Sequence, residues 1–116
     1  KMKPNSKKGT CLELERGNAT AIDTGDGQYD VAVCVRFLDL IDEEAMRMTM
    51  DELCRVAKQT VILTIRLGKT YRPKSNTAEH DEKKFWSLVQ RLGWECGEKV
   101  QFRDAGWWII RLQRRR

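Results

Sequence analysis

Arg36 and Phe37 stand at the end of an unbroken apolar run, Val31-Ala32-Val33-Cys34-Val35. A guanidinium where a strand leaves the core can bind an anionic group, or it can pair with Asp39 or Asp42 a few residues on. Phe37 offers a ring for stacking or for packing into the core. His80, the chain's one histidine, lies between Glu79 and Asp81 at what reads as a helix start. It can act as a base near neutral pH or sit solvated. Cys11, Cys34, Cys54 and Cys96 include no Cys-x-x-Cys pair, so they read as reduced thiols rather than disulfides or metal ligands. No metal site is expected.

The elements that must position these residues follow from periodicity. A turn at Gly25-Asp26-Gly27 leads into Tyr29-Asp30 and the apolar run, which reads as a central strand buried on both faces. Before it, Cys11 with the alternating Leu12–Glu15 reads as a half-buried strand, and 17–23 as a loop or short helical turn. Asp42 is the expected N-cap of a helix from Asp42 to about Lys58, whose first turn is acidic. Thr60–Arg66 is a second β-branched strand, again ending in arginine. A second helix is expected from about Glu79 to Leu92, with Phe85, Trp86, Leu88, Val89 and Leu92 on its apolar side and Gly93 stopping it. Glu98–Phe102 and Trp107–Gln113, joined by a short turn, should close the chain as an antiparallel hairpin at the sheet edge. One of Trp107 and Trp108 should be core and the other partly covered or exposed.

A length of 116 residues suits one domain. Residues 1–8 carry four lysines and Arg114–Arg116 three arginines, so the ends supply +7 of the net +5 and residues 9–113 are at −2. Residues 1–8 read as a disordered basic lead, 9–113 as the folded domain and 114–116 as a basic tail. Nucleic-acid binding is not expected except through the tails, because a reader would carry its basic face on the folded domain. No stretch approaches a membrane span in length and no signal peptide is visible, so the expected location is the cytoplasm.

Two longer stretches carry a family resemblance. GNATAIDTGDGQYDVAVCVRFLDLIDEEAMRMTMDELCRVAKQTVILTIR is similar to the middle and later part of class I S-adenosylmethionine-dependent methyltransferases. There, a Gly-Asp-Ala-like turn precedes a Phe-Asp-x-x-x-Cys strand, followed by a leucine-rich turn, a helix and a Val-Ile-Leu strand. LGWECGEKVQFRDAGWWIIRLQ resembles that family's closing hairpin. The resemblance covers most of 11–113. The family's glycine-rich cofactor loop and the acidic residue that holds the ribose are absent, and Asn18 stands where an aspartate often meets adenine.

The fold this implies is α/β: a Rossmann-like three-layer sheet, mostly parallel, with a C-terminal antiparallel hairpin, incomplete at its N-terminal side. The resemblance implies S-adenosylmethionine as cofactor, with Asn18, Ala19, Cys34 and Arg36 binding it and Phe37 and His80 on the substrate side. Methyl transfer needs little acid–base chemistry, since the sulfonium is already electrophilic and catalysis can come from alignment. The acceptor would be a small molecule or another non-nucleic-acid group; no Asn/Asp-Pro-Pro-aromatic motif follows the central strand. The chain would act within a longer or assembled protein. The alternative is a non-catalytic module that keeps the scaffold and pairs with a partner chain. A strand edge left without neighbours would favour a homodimer or a tight partner, unless the first two strands pair with each other.

Overall fold

The structure, a computed structural model, describes residues 9–14 (backbone), 25–73, 78–102 and 106–115. Asn18 and Ala19, with the 17–23 loop and the basic lead, lie outside the described residues.

β1 (Gly9–Leu14), β2 (Tyr29–Cys34) and β3 (Ala57–Gly68) form the first three strands. α1 (Glu43–Val56) connects β2 to β3. Its N-cap is as expected: the Asp42 carboxylate accepts from the Ala45 backbone N–H at 2.8 Å, with Glu43 and Glu44 in the first turn. The helix buries Met46, Thr49, Met50, Leu53, Cys54 and Val56. The short β4 (Arg72–Pro73) and β5 (Ala78–Asp81) precede α2 (Glu82–Arg91), which buries Phe85, Leu88 and Val89. β6 (Trp94–Gln101) and β7 (Trp107–Arg114) are the expected antiparallel hairpin.

The sheet is mixed rather than mostly parallel. β1–β2, β2–β3 and a two-residue contact of β3 with β5 are parallel, while β3–β7, β6–β7 and β4–β5 are antiparallel. The antiparallel ladders of β7 are the longest. The cause is the tight hairpin: β7 turns straight back from β6 and lies against β3 over Thr60–Arg66, with no crossover to set it parallel. β1 pairs directly with β2, so the edge of the central strand is covered.

The three-layer expectation also changes. Ala32 and Cys34 of β2, Val61, Leu63 and Ile65 of β3, and Ile110 and Leu112 of β7 share one core with both helices. Val31, Val33 and Ile62 point the other way, are only partly buried, and do not pack against that core. Among the described residues, then, both helices cover the same face and the sheet makes two layers. An all-apolar strand reads the same whether its second face is covered or only crowded by its neighbours.

Several boundaries differ from expectation: α1 ends at Val56, β3 spans Ala57–Gly68 rather than Thr60–Arg66, and β6 runs Trp94–Gln101 rather than Glu98–Phe102. Residues Glu79–Asp81 belong to β5 rather than to the second helix, and Asp81 is that helix's N-cap, accepting from the Lys84 N–H at 3.0 Å. β7 runs through Arg114, which is therefore not part of a tail. No helix among the described residues is long and apolar enough to cross a membrane.

Candidate functional site at the carboxyl ends of β2 and β3

β2 stops at Cys34, and the chain leaves the sheet through Val35 and Arg36. Arg36 has φ of 58°, a left-handed conformation that costs a residue with a Cβ about 1–2 kcal/mol. Its backbone N–H donates to Thr64 Oγ1 of β3 at 2.7 Å, fixing the turn. The side chain then swings off the strand line. Its Nη2 lies 3.6 Å from Asp39 Oδ2, so of the two carboxylates considered Asp39 is the partner. Its Cζ lies 5.0 Å from the centre of the Trp107 ring.

Trp107 receives a second guanidinium. Arg66, opposite it in the β3–β7 register, has Cζ 5.6 Å from the same ring. Phe102 lies on another side, 5.8 Å between ring centres. Trp107 is buried without joining the main core, whereas Trp108 is partly buried against that core. The approach of β7 to β3 is fixed by Gly106, whose carbonyl accepts from the Leu67 N–H at 2.7 Å. Gly106 has φ of 97°, and a Cβ there would meet the Leu67 carbonyl oxygen at 2.9 Å.

After Arg36 comes a 3-10 turn, Leu38–Leu40. Phe37 packs partly buried against the helical core, and its carbonyl accepts from the Leu40 N–H at 2.9 Å. His80 is not solvated at a helix start: it is fully buried in β5, and its Nε2 donates to the Leu38 carbonyl at 2.7 Å. A carbonyl can only accept, so the proton sits on Nε2. Tyr71 lies alongside at 5.6 Å between ring centres. His80 thus ties the turn after Phe37 to β5 and acts as a positioning residue. Cys34 is fully buried beneath this turn; burial, with the negative charge of Asp39, pushes its thiol up to about 12 and keeps it neutral.

Burial lowers the pKa of His80 from its ordinary value, against the raising effects of the Leu38 carbonyl and then Glu43, Asp39 and Asp42. The unfolded chain therefore binds the proton more readily than the folded one. Stability is complete above the unfolded value and declines as pH falls below about 6.5, by at most roughly 1.4 kcal/mol per pH unit. Urea unfolding of wild type and His80→Gln across this range should show a shallower decline in the variant. Parallel curves would mean that His80 is not the titrating group.

The structure brings Cys34, Arg36, Phe37 and His80 around one turn. Arg36 alone of them faces the open side of the sheet, with a half-exposed side chain. Sequence reading singled out neither Thr64 nor the joint use of Trp107 by Arg36 and Arg66. The available signal was the second strand ending, like the first, in arginine. Among the described residues no His, Cys, Asp and Glu side chains form a metal-binding group. A groove of about 460 Å³ between α1 and α2, lined by Met46, Arg47, Lys84 and Leu88 among others, contains none of the site residues.

Parallel β1–β2–β3, the crossover α1 and the closing hairpin give the chain the fold of class I S-adenosylmethionine-dependent methyltransferases. Among solved structures, it is similar to the magnesium protoporphyrin IX methyltransferase of Synechocystis PCC 6803 with bound S-adenosylmethionine. That likeness has a TM-score of 0.64 at 18% identity, over 83% of this chain and 42% of that one. The 1,6-didemethyltoxoflavin-N1-methyltransferase of Burkholderia thailandensis, with bound 1,6-didemethyltoxoflavin and S-adenosylhomocysteine, matches with a TM-score of 0.66 at 12% identity. The match covers 84% of this chain and 48% of that one. A chain from the complex between the Haloferax volcanii Trm112 methyltransferase activator and its methyltransferase partner matches at 0.64 and 9% identity, over 86% of this chain and 60% of that one. The chain thus spans less than two thirds of the length of each, and at these identities the likeness is one of fold. No family model and no curated protein sequence matches the chain.

Proposed function

We propose that this chain takes part in S-adenosylmethionine-dependent methyl transfer to a small-molecule or other non-nucleic-acid acceptor, as a piece of a longer or assembled protein in the cytoplasm. The observation that supports this reading is the Arg36 turn. A left-handed arginine, bonded to Thr64 and placed at the carboxyl end of a central parallel strand, stands where open α/β sheets bind ligands. In this reading Arg36 and Phe37 present backbone and side chain to the cofactor and acceptor. Cys34 forms the neutral floor beneath them, and His80 holds the turn. Asn18 and Ala19 remain the proposed adenine contacts. The cofactor supplies the electrophilic methyl group; the chain's own residues align the reactants and shield them from water.

The glycine-rich loop and ribose acid are missing from this sequence, so the isolated chain should bind the cofactor weakly. Titrating S-adenosylhomocysteine into the labelled chain should shift the backbone amides of Val35, Arg36 and Phe37 and leave those of β6 unmoved, with a dissociation constant well above the micromolar range. Absence of any shift around residues 34–37 would sink the cofactor assignment. A low-micromolar constant would show that the chain needs no complement.

One observation favours a second reading. The sheet face of Val31, Val33 and Ile62 has no helix against it among the described residues, as a non-catalytic module pairing with a partner chain would require. Light scattering of the chain at micromolar concentration tests this: a homodimer supports the reading, and a monomeric mass counts against it.

A further inference from the structure

We infer that Thr64 is a positioning residue for the turn after β2: its hydroxyl ends the pairing of β2 with β3 and holds Arg36 left-handed, which sets where residues 35–37 meet a ligand. Only the identity of that ligand, the cofactor, rests on the reading proposed above. β2 stays in register with β3 as far as Cys34 opposite Leu63, and the next rung would set Val35 against Thr64. That rung is not made. The Arg36 N–H donates instead to Thr64 Oγ1 at 2.7 Å, so a side chain stands in for the backbone acceptor of a parallel ladder. The chain leaves the sheet there, and the next parallel partner of β3 is β5, at Leu67 and Gly68. Thr64 thus sits after one parallel neighbour ends and before the other begins.

Strain and burial point to the same residue. Arg36 has φ of 58°, and a residue with a Cβ keeps that conformation only where its surroundings impose it. Thr64 supplies the hydrogen bond to its N–H. The other tie on the turn, from His80 to the Leu38 carbonyl, acts beyond Arg36. Thr60, Ile62 and Arg66 share a face of β3 with Thr64 and are partly buried, whereas Thr64 is only 5% exposed. A buried N–H and a buried hydroxyl each cost free energy when unbonded, so the bond between them is hard to give up. Valine fits the same space and offers no acceptor; serine keeps the acceptor. Rotation about φ of residue 36 would move Val35 and Phe37 relative to each other, and methyl transfer depends on such alignment.

The test compares Thr64→Val with Thr64→Ser on the full chain, first without ligand. Wild type and Thr64→Ser should show at residue 36 the strong intraresidue amide–Hα Overhauser effect that a positive φ produces. Their Arg36 amide should also be protected from hydrogen exchange. In Thr64→Val the Overhauser effect should weaken and the amide should exchange at least about tenfold faster, equivalent to a hydrogen bond of about 1.4 kcal/mol. S-adenosylhomocysteine, followed by the amide shifts of Val35 and Phe37, should bind Thr64→Val at least about tenfold more weakly and Thr64→Ser much as wild type. A Thr64→Val chain that keeps both the Overhauser effect and the protection would overturn the proposal. Equal losses in Thr64→Ser would overturn it too, by assigning the effect to the missing methyl group. Should Thr64→Val unfold, Thr64→Ala replaces it with the same expectations, and an unprotected Arg36 amide in wild type overturns the proposal outright. A changed turn with unchanged S-adenosylhomocysteine affinity would overturn the link to the cofactor. Failure of wild type to bind S-adenosylhomocysteine would be a separate result, because the Overhauser and exchange measurements need no ligand and judge Thr64 on their own.

Discussion

Replacing Arg114 by methionine should cost about 2–4 kcal/mol of stability, although composition alone places this residue in a solvated basic tail. Its Nε donates to the Lys58 carbonyl at 2.7 Å, and its Nη2 to those of Ala57 at 2.9 Å and Cys54 at 3.2 Å. Those carbonyls belong to the end of α1 and the start of β3, where the chain passes from helix to strand with no residue between. A helix end leaves carbonyls without partners, and a cation there satisfies them and complements the helix dipole. The guanidinium also stacks on fully buried Trp94, with Cζ 4.8 Å from the ring. A hydrogen bond to a charged group contributes about 1.5–3 kcal/mol. The residue is exposed on one side, so three such bonds should give the range above rather than their sum. Arg115→Ala is the control, since its contact is a backbone bond to Gly93, and it should fall within about 0.5 kcal/mol of wild type. Urea unfolding curves that coincide for the two variants would show that the cap contributes nothing.

How much of this was legible beforehand depends on the range of each signal. Asp42 as N-cap, the two β-branched strands and the closing hairpin are local patterns, and each is present, although β3 is longer than Thr60–Arg66 and β6 starts at Trp94 rather than Glu98. Glu79–Asp81 misled because acids followed by Phe85, Leu88 and Val89 resemble the first turn of a helix. What draws Ala78–Asp81 into a strand is pairing with the tail of β3, Leu67 against His80 and Gly68 against Asp81. No local window contains that pairing. The same holds for the site. Arg36 is visible as a charge ending an apolar run, whereas its stacking on Trp107, 71 positions on, depends on the β3–β7 register. The covering of only one sheet face was hidden for another reason: Val31 and Val33 are as apolar as Ala32 and Cys34, so composition does not separate the helical side from the open one.

Arg36→Met should be the most damaging change at the site, and the reason is Asp39. That carboxylate is fully buried, neither of its oxygens has a hydrogen bond, and Arg36 at 3.6 Å is its ion-pair partner. Removing one member of a buried pair typically costs about 3–5 kcal/mol, because the other is left charged in a poor solvent. The Arg36 side chain is 46% exposed, so water can replace part of what it supplies, and the lower end is expected. Asp39→Asn, which removes the charge, should be milder. The double variant should then be more stable than Arg36→Met alone, with a coupling of about 1–3 kcal/mol. Arg36→Lys separates stability from recognition. Lysine restores a positive charge near Asp39 but lacks the planar fork, so the melting temperature should stay near wild type while the S-adenosylhomocysteine shifts at residues 34–37 weaken. A lowered melting temperature with unchanged affinity would assign Arg36 to Asp39 alone and remove it from the binding site.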